Sequence, residues 1–136
     1  MKQSATWSGL AIVSYVIWGI VHFQAAYAGY QHDFSLPLSM AQGGVLQDAW
    51  NLAFFAIFAS AIAIVFNWQN NRWGYWINLG VVGIAEMGFI FYVLVPGHIP
   101  LWPGMLGPVF WLSGLAFSSL SLPPAGEFIE CSLNLD

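Results

Sequence analysis

The sequence predicts an all-α integral membrane protein, a four-helix bundle with its N- and C-termini on the same side. Three observations predict it. Only 6% of the 136 residues are charged and 59% are hydrophobic, whereas a typical soluble domain has about 25% charged residues. Four stretches are apolar and long enough to cross a hydrocarbon core of about 30 Å, which takes roughly 20 helical residues. None of the four alternates apolar with polar residues as a barrel strand does, and lipid leaves only helices or closed barrels to a spanning chain. A soluble fold of this size would expose large sticky patches.

The first helix is expected over residues 8–27. Lys2, the apolar stretch and Ala26-Tyr27-Ala28 also fit the three parts of a cleaved signal peptide; the segment is read as a retained helix. The loop that follows, QHDFSLPLSMAQGG, alternates Phe34, Leu36, Leu38 and Met40 with Ser35, Pro37 and Ser39. Such a segment either dips into the headgroup region or lies over the bundle mouth as a flap hinged at Gly43 and Gly44. The second helix, 46–66, is rich in Phe, and the turn NWQNNRWGYW leads to the third, 74–95. Pro96, Pro100, Pro103 and Pro108 then stiffen the approach to the fourth, 103–122, because proline fixes φ and cannot continue a helix. Residues 1–122 form one domain in this reading. Residues 123–136 lack helical periodicity and are expected to be a mobile tail, in part an added extension, with Cys131 an inert thiol.

Lys2 and Arg72 are the only cations. Four crossings put both on one face, and the positive-inside bias makes that face cytoplasmic, with both termini. The aromatic belts agree: Trp7, Trp68, Trp73, Tyr75 and Trp76 mark the inner interface, and Tyr27, Tyr30, Trp50, Tyr92 and Trp102 the outer one. The net charge of −4, with no basic cluster, excludes a nucleic-acid footprint. One cysteine excludes an intrachain disulfide, and no P-loop, GxGxxG, GxSxG or HExxH motif is present.

What remains is a small set of polar residues within the spans. Glu86 lies in VVGIAEMGFIF, where a charged side chain at the bilayer centre costs roughly 2.5 to 3.5 kcal/mol on insertion scales, so it needs a partner or a proton. Leu79, Gly83, Glu86, Ile90 and Val93 share its stripe, as Tyr15, Gly19, His22, Ala26 and Gly29 share one on the first helix. GIVH at 19–22 resembles GIAE at 83–86, and each polar residue stands five or six positions before an outer-belt tyrosine. His22 and Glu86 are therefore expected at one depth and within hydrogen-bond reach. Burial disfavours both charges, so a neutral pair, Glu86 donating to His22, is the expectation. Asp48 and Asn51 enter from the outer end of the second helix, with Gln24 and Gln47 at similar levels, while the inner half offers mainly Asn78. The candidate ligand or proton site is His22, Glu86, Asn51, Asp48 and Gln24, in a polar pocket opening outward. No HxxxH or ExxH pair stands on one helix, so no metal is assigned, and no cofactor is named.

WGIVHF, the aromatic-rich second helix and VPGHIPLWPG before the last helix resemble the small four-helix bacterial membrane proteins called DoxX-like, over roughly residues 8 to 122. The resemblance implies a multi-pass protein of a cell membrane, the bacterial inner membrane. A few such proteins resemble subunits of quinone-linked sulfur oxidation, but no residue set here carries that activity over. Small multidrug transporters share the helix count and a membrane carboxylate, theirs in the first helix; here position 22 is histidine and the carboxylate is in the third. Three functions follow: binding or transport of a small, largely apolar molecule, linked to a proton; an accessory subunit whose polar cluster only locks helices; or an acid–base enzyme such as an isomerase. The expected partners are the lipid bilayer and that ligand, with self-association left open.

Overall fold

The computed structural model describes residues 2–33, 35–69 and 71–122. These residues form helices joined by short turns, with no strand among them. Three helices are long and apolar enough to cross a membrane, and a shorter apolar helix follows. The tail expected over 123–136 and the flap residue Phe34 lie outside the described residues.

Helix α1 spans Lys2–Asp33, past both ends of the stretch read from hydropathy. It stops where the carbonyl of His32 accepts from the backbone N–H of Ser35 and from its hydroxyl. Ser39 caps α2, Met40–Asn67, its hydroxyl accepting from Gln42 N–H at 3.3 Å, which satisfies one of the free donors of a first turn. Asn71 caps α3, Arg72–Leu94, accepting from Trp73 N–H at 2.9 Å. α3 closes on Gly97 at φ 79°, with Gly97 N–H bonded to Leu94 and His98 N–H to Val93. This is the Schellman arrangement, which favours a residue without Cβ at that left-handed position. A short turn, α4, covers Leu101–Gly104, and α5 covers Leu106–Ser121.

α5 begins three residues later than its expected start at Pro103. Trp102, preceding proline, is extended (φ −112°, ψ 121°), as the clash with the proline ring requires. Pro108 then falls in the first turn of α5, where its missing N–H breaks no intrahelical bond.

α1 runs between α2 and α5 and packs along both. Its seam with α2 is built from small residues: Ala26, Ala49, Ala56 and Ala59 are buried, and Gly19 lies directly against Ser60 and the carbonyl of Ala56. In lipid, van der Waals contact between closely approaching backbones is a main source of helix association. Tyr15, Trp18, Ala59, Ala63, Val82 and Trp111 make the core. Ser8 of α1 donates to the carbonyl of Asn67, whose amide donates to Ser118 at 3.2 Å. Trp7 stacks on Phe117. These contacts gather the starts of α1 and α3 and the ends of α2 and α5 at one end of the molecule.

α3 departs from the expected stripe. Its buried line is Gly74, Asn78, Val82, Gly83, Glu86 and Leu94, with Leu79, Ile90 and Val93 only half-buried. Asn78–Val82 and Ile90–Leu94 are π-helical turns, and a π turn takes up about one extra residue. Steps of four thus stay on one line where an α-helix would drift away. The end expected to be the inner one is also more polar than expected, since Ser8, Asn67, Ser118 and Ser121 join Asn78 there as buried residues.

Candidate functional site

Trp18 and His22 stand one helical turn apart on α1 and so share a face; their rings stack with centroids 3.9 Å apart. Glu86, 1% exposed, comes from the α-helical stretch Gly83–Phe89 between the two π turns. Its Oε1 accepts from the indole N–H of Trp18 at 2.5 Å and lies 3.0 Å from His22 Nε2. The depth relation read from the two GxxH and GxxE segments therefore corresponds to direct contact.

The third contact of the histidine fixes its tautomer. Nδ1 lies 2.9 Å from the carbonyl oxygen of Trp18. A carbonyl only accepts, so Nδ1 carries a hydrogen and donates, and in a neutral ring Nε2 is then the acceptor. The contact between Nε2 and Oε1 consequently holds one proton. Either Glu86 is a carboxylic acid donating to neutral His22, or His22 is an imidazolium donating to a carboxylate. Both forms have zero net charge, which spares the interior an uncompensated ion.

A cavity of about 460 Å³ lies over this pair. Val21, Leu52, Phe55, Phe89 and Leu106 supply apolar wall, and Trp18, His22 and Glu86 also line it. Ile99, Pro100, Pro103 and Gly104 complete the lining from the α3–α5 connection. Of the segment expected to act as a flap, the described residues 35–40 contribute no residue to this lining; Leu38 and Met40 are almost fully exposed and Leu36 is half-buried. The proline-rich connection takes that place because its fixed backbone holds it against the bundle.

Of the five candidate site residues, the structure brings His22, Glu86 and Gln24 to this cavity. Asp48 and Asn51 are exposed and do not line it. Asp48 stands one turn before Leu52 and two before Phe55, which line the cavity, so it shares their face but lies short of the cavity along α2. Gln47 lines a separate apolar groove between the end of α1 and the start of α2, with Tyr27, Tyr30 and Trp50.

Sequence reasoning missed two participants. Trp18 was legible in principle, since an indole N–H inside a membrane needs an acceptor. Gly107 carried no signal: a Cβ there would stand 2.6 Å from His22 Cε1, a closeness that only the packed structure reveals. Deeper in the bundle, the amide of Asn78 and the indole N–H of Trp111 are buried without a hydrogen-bond partner among the described residues. Comparison with protein-family models, with curated proteins and with solved structures finds no match for this chain.

Proposed function

We propose that the chain is a four-span protein of a cell membrane that binds or transports a small, largely apolar molecule in the cavity over Trp18, His22 and Glu86. The observation that carries this reading is an apolar cavity of about 460 Å³ whose lining includes a buried acid–histidine pair. Ligand sites are concave, mostly apolar and set with few polar groups, typically at about 300–1,000 Å³. Lys2 and Arg72 at one end support a cytoplasmic placement of that end, with the cavity nearer the opposite face. α5 alone is about 24 Å long, and α4 with its flanking prolines completes the fourth crossing.

The shared proton gives the site a second capability. Moving it from Oε1 to Nε2 changes no net charge, so an entering polar group can shift it cheaply, coupling binding to protonation or assisting an acid–base step on the ligand. Binding is tested with the purified protein in lipid nanodiscs, titrated with compact apolar molecules and read by tryptophan fluorescence. Saturable binding is expected for the wild type and its loss for Ala85→Phe, which fills the cavity. Absence of binding in both, with intact folding, would leave the cluster as a helix lock only. Product analysis after incubation separates binding from isomerisation.

A further inference from the structure

We infer that Gln24 is the residue of this cavity that takes the ligand's polar end, and that the ligand is an uncharged amphiphile: a compact apolar body with one hydroxyl, carbonyl or amide group held at the mouth. The inference rests on the binding reading above and names its recognition residue and ligand class.

The place of the mouth follows from the exposure of the lining. Gln24, Ala25, Pro100 and Pro103 are its exposed residues, whereas those contributed by α2 and α3 are buried or half-buried. The cavity therefore opens between α1 and the connection that joins α3 to α5, and is closed toward α2 and α3. Gln24 stands one turn before Tyr27, about 4.5 Å along the helix axis, so the mouth lies near the level of the α1 tyrosines.

The polar groups of the lining sort by depth. Its polar side chains are Trp18, His22, Gln24 and Glu86. At the floor, the Trp18 indole N–H donates to Glu86 Oε1, His22 Nδ1–H donates to the Trp18 carbonyl, and Nε2 shares one proton with Oε1. Glu86 Oε2 is buried away from the open space. The floor thus offers a ligand no free side-chain donor or acceptor, and apolar atoms suit it. Gln24 is the polar side chain that remains. Its amide presents a carbonyl oxygen and two N–H hydrogens, so it can hold a head group that donates, one that accepts or one that does both. An ionised head finds no counter-charge in the lining, because its titratable residues, His22 and Glu86, sum to zero.

A few placed polar groups fix the orientation of a ligand in an otherwise apolar site. Here the rim is polar and the floor apolar, which sets the head toward the tyrosine level and the body toward the centre of the bundle. An amphiphile in the surrounding leaflet already lies that way and can enter sideways without turning over.

Menthol, menthone and p-menthane test the assignment, since they share one carbon skeleton and carry a hydroxyl, a carbonyl and no polar group. Binding of each to the protein in nanodiscs is measured against protein-free nanodiscs, so that partition into lipid cancels. Menthol and menthone are each expected to bind the wild type at least about tenfold more tightly than p-menthane, one hydrogen bond's worth. Gln24→Leu, its helix content checked by circular dichroism, is expected to bring both down to the p-menthane level. A preference that survives in Gln24→Leu overturns the assignment, since the head is then held elsewhere. Equal binding of all three by the wild type also overturns it and leaves the cavity as an apolar binding site. So does a gap of about tenfold between menthol and menthone, which an amide able both to donate and to accept does not make. If none of the three binds, the binding reading fails and the role of Gln24 with it.

Discussion

Gly107 of α5 lies against the edge of the His22 ring. A Cβ at position 107 would stand 2.6 Å from His22 Cε1 and 3.0 Å from Glu86 Oε1. The ring has little room to give, because Trp18 stacks on it and the Trp18 carbonyl holds its Nδ1. Gly107→Ala is therefore expected to cost about 1–3 kcal/mol, the usual range for overpacking, and to separate His22 from Glu86. Unfolding in detergent measures the first and the infrared carboxyl band the second. A neutral substitution with an unchanged band would show that α5 does not brace the pair.

The tautomer of His22 gives a second prediction. Since Nδ1 faces a carbonyl oxygen, nitrogen NMR of isotope-labelled histidine should find Nδ1 carrying a hydrogen in the folded protein. Replacing Trp18 by Phe keeps the ring stack but removes the donor to Oε1, and is expected to cost about 1–3 kcal/mol. A bare Nδ1 would overturn the one-proton description of the pair.

The α1–α2 seam is as tight as the site. A Cβ on Gly19 would meet the hydroxyl of Ser60 and stand 2.8 Å from the backbone carbonyl of Ala56. Ser60→Ala removes only the first obstacle. Gly19→Ala should lower the unfolding temperature, and Gly19→Ala with Ser60→Ala should recover part of that loss but not all. Full recovery would mean that the Ala56 carbonyl yields freely.

Topology is tested by cysteine labelling in a Cys131→Ser background. Arg72→Cys should be labelled from the cytoplasmic side only and His98→Cys from the opposite side only, in keeping with the shared end of Lys2 and Arg72. Labelling of both from one face would break the four-span proposal, and the reverse pattern would invert the orientation.

Much of the helical layout was legible from hydropathy, because an apolar run long enough to span lipid is a local property of the chain. Its ends were not. α1 continues from residue 27 to Asp33, since hydropathy marks the length in lipid while a helix runs on into the polar interface until a turn such as that at Ser35 stops it. The meeting of His22 and Glu86 was legible too: depth follows from counting residues to the interfacial tyrosines, and an ionisable group in lipid needs a partner at its own depth.

The sequence by itself determined the solvent, the approximate spans and the level of the buried pair. Only the tertiary structure decided which residues each helix buries: that Asn78 and Val82, rather than Leu79, share the inward line with Glu86; that Asp48 and Asn51 stay exposed; and that the connection between α3 and α5, rather than the described residues 35–40, lines the cavity. The physical reason is the medium. In water a helix shows its inward face by contrast between apolar and polar sides, but in lipid both sides are apolar and that contrast vanishes. Facing is then set by contacts between helices, by glycines such as Gly19 and Gly107 that admit a neighbour, and by π turns that shift the register, none of which a hydropathy window contains.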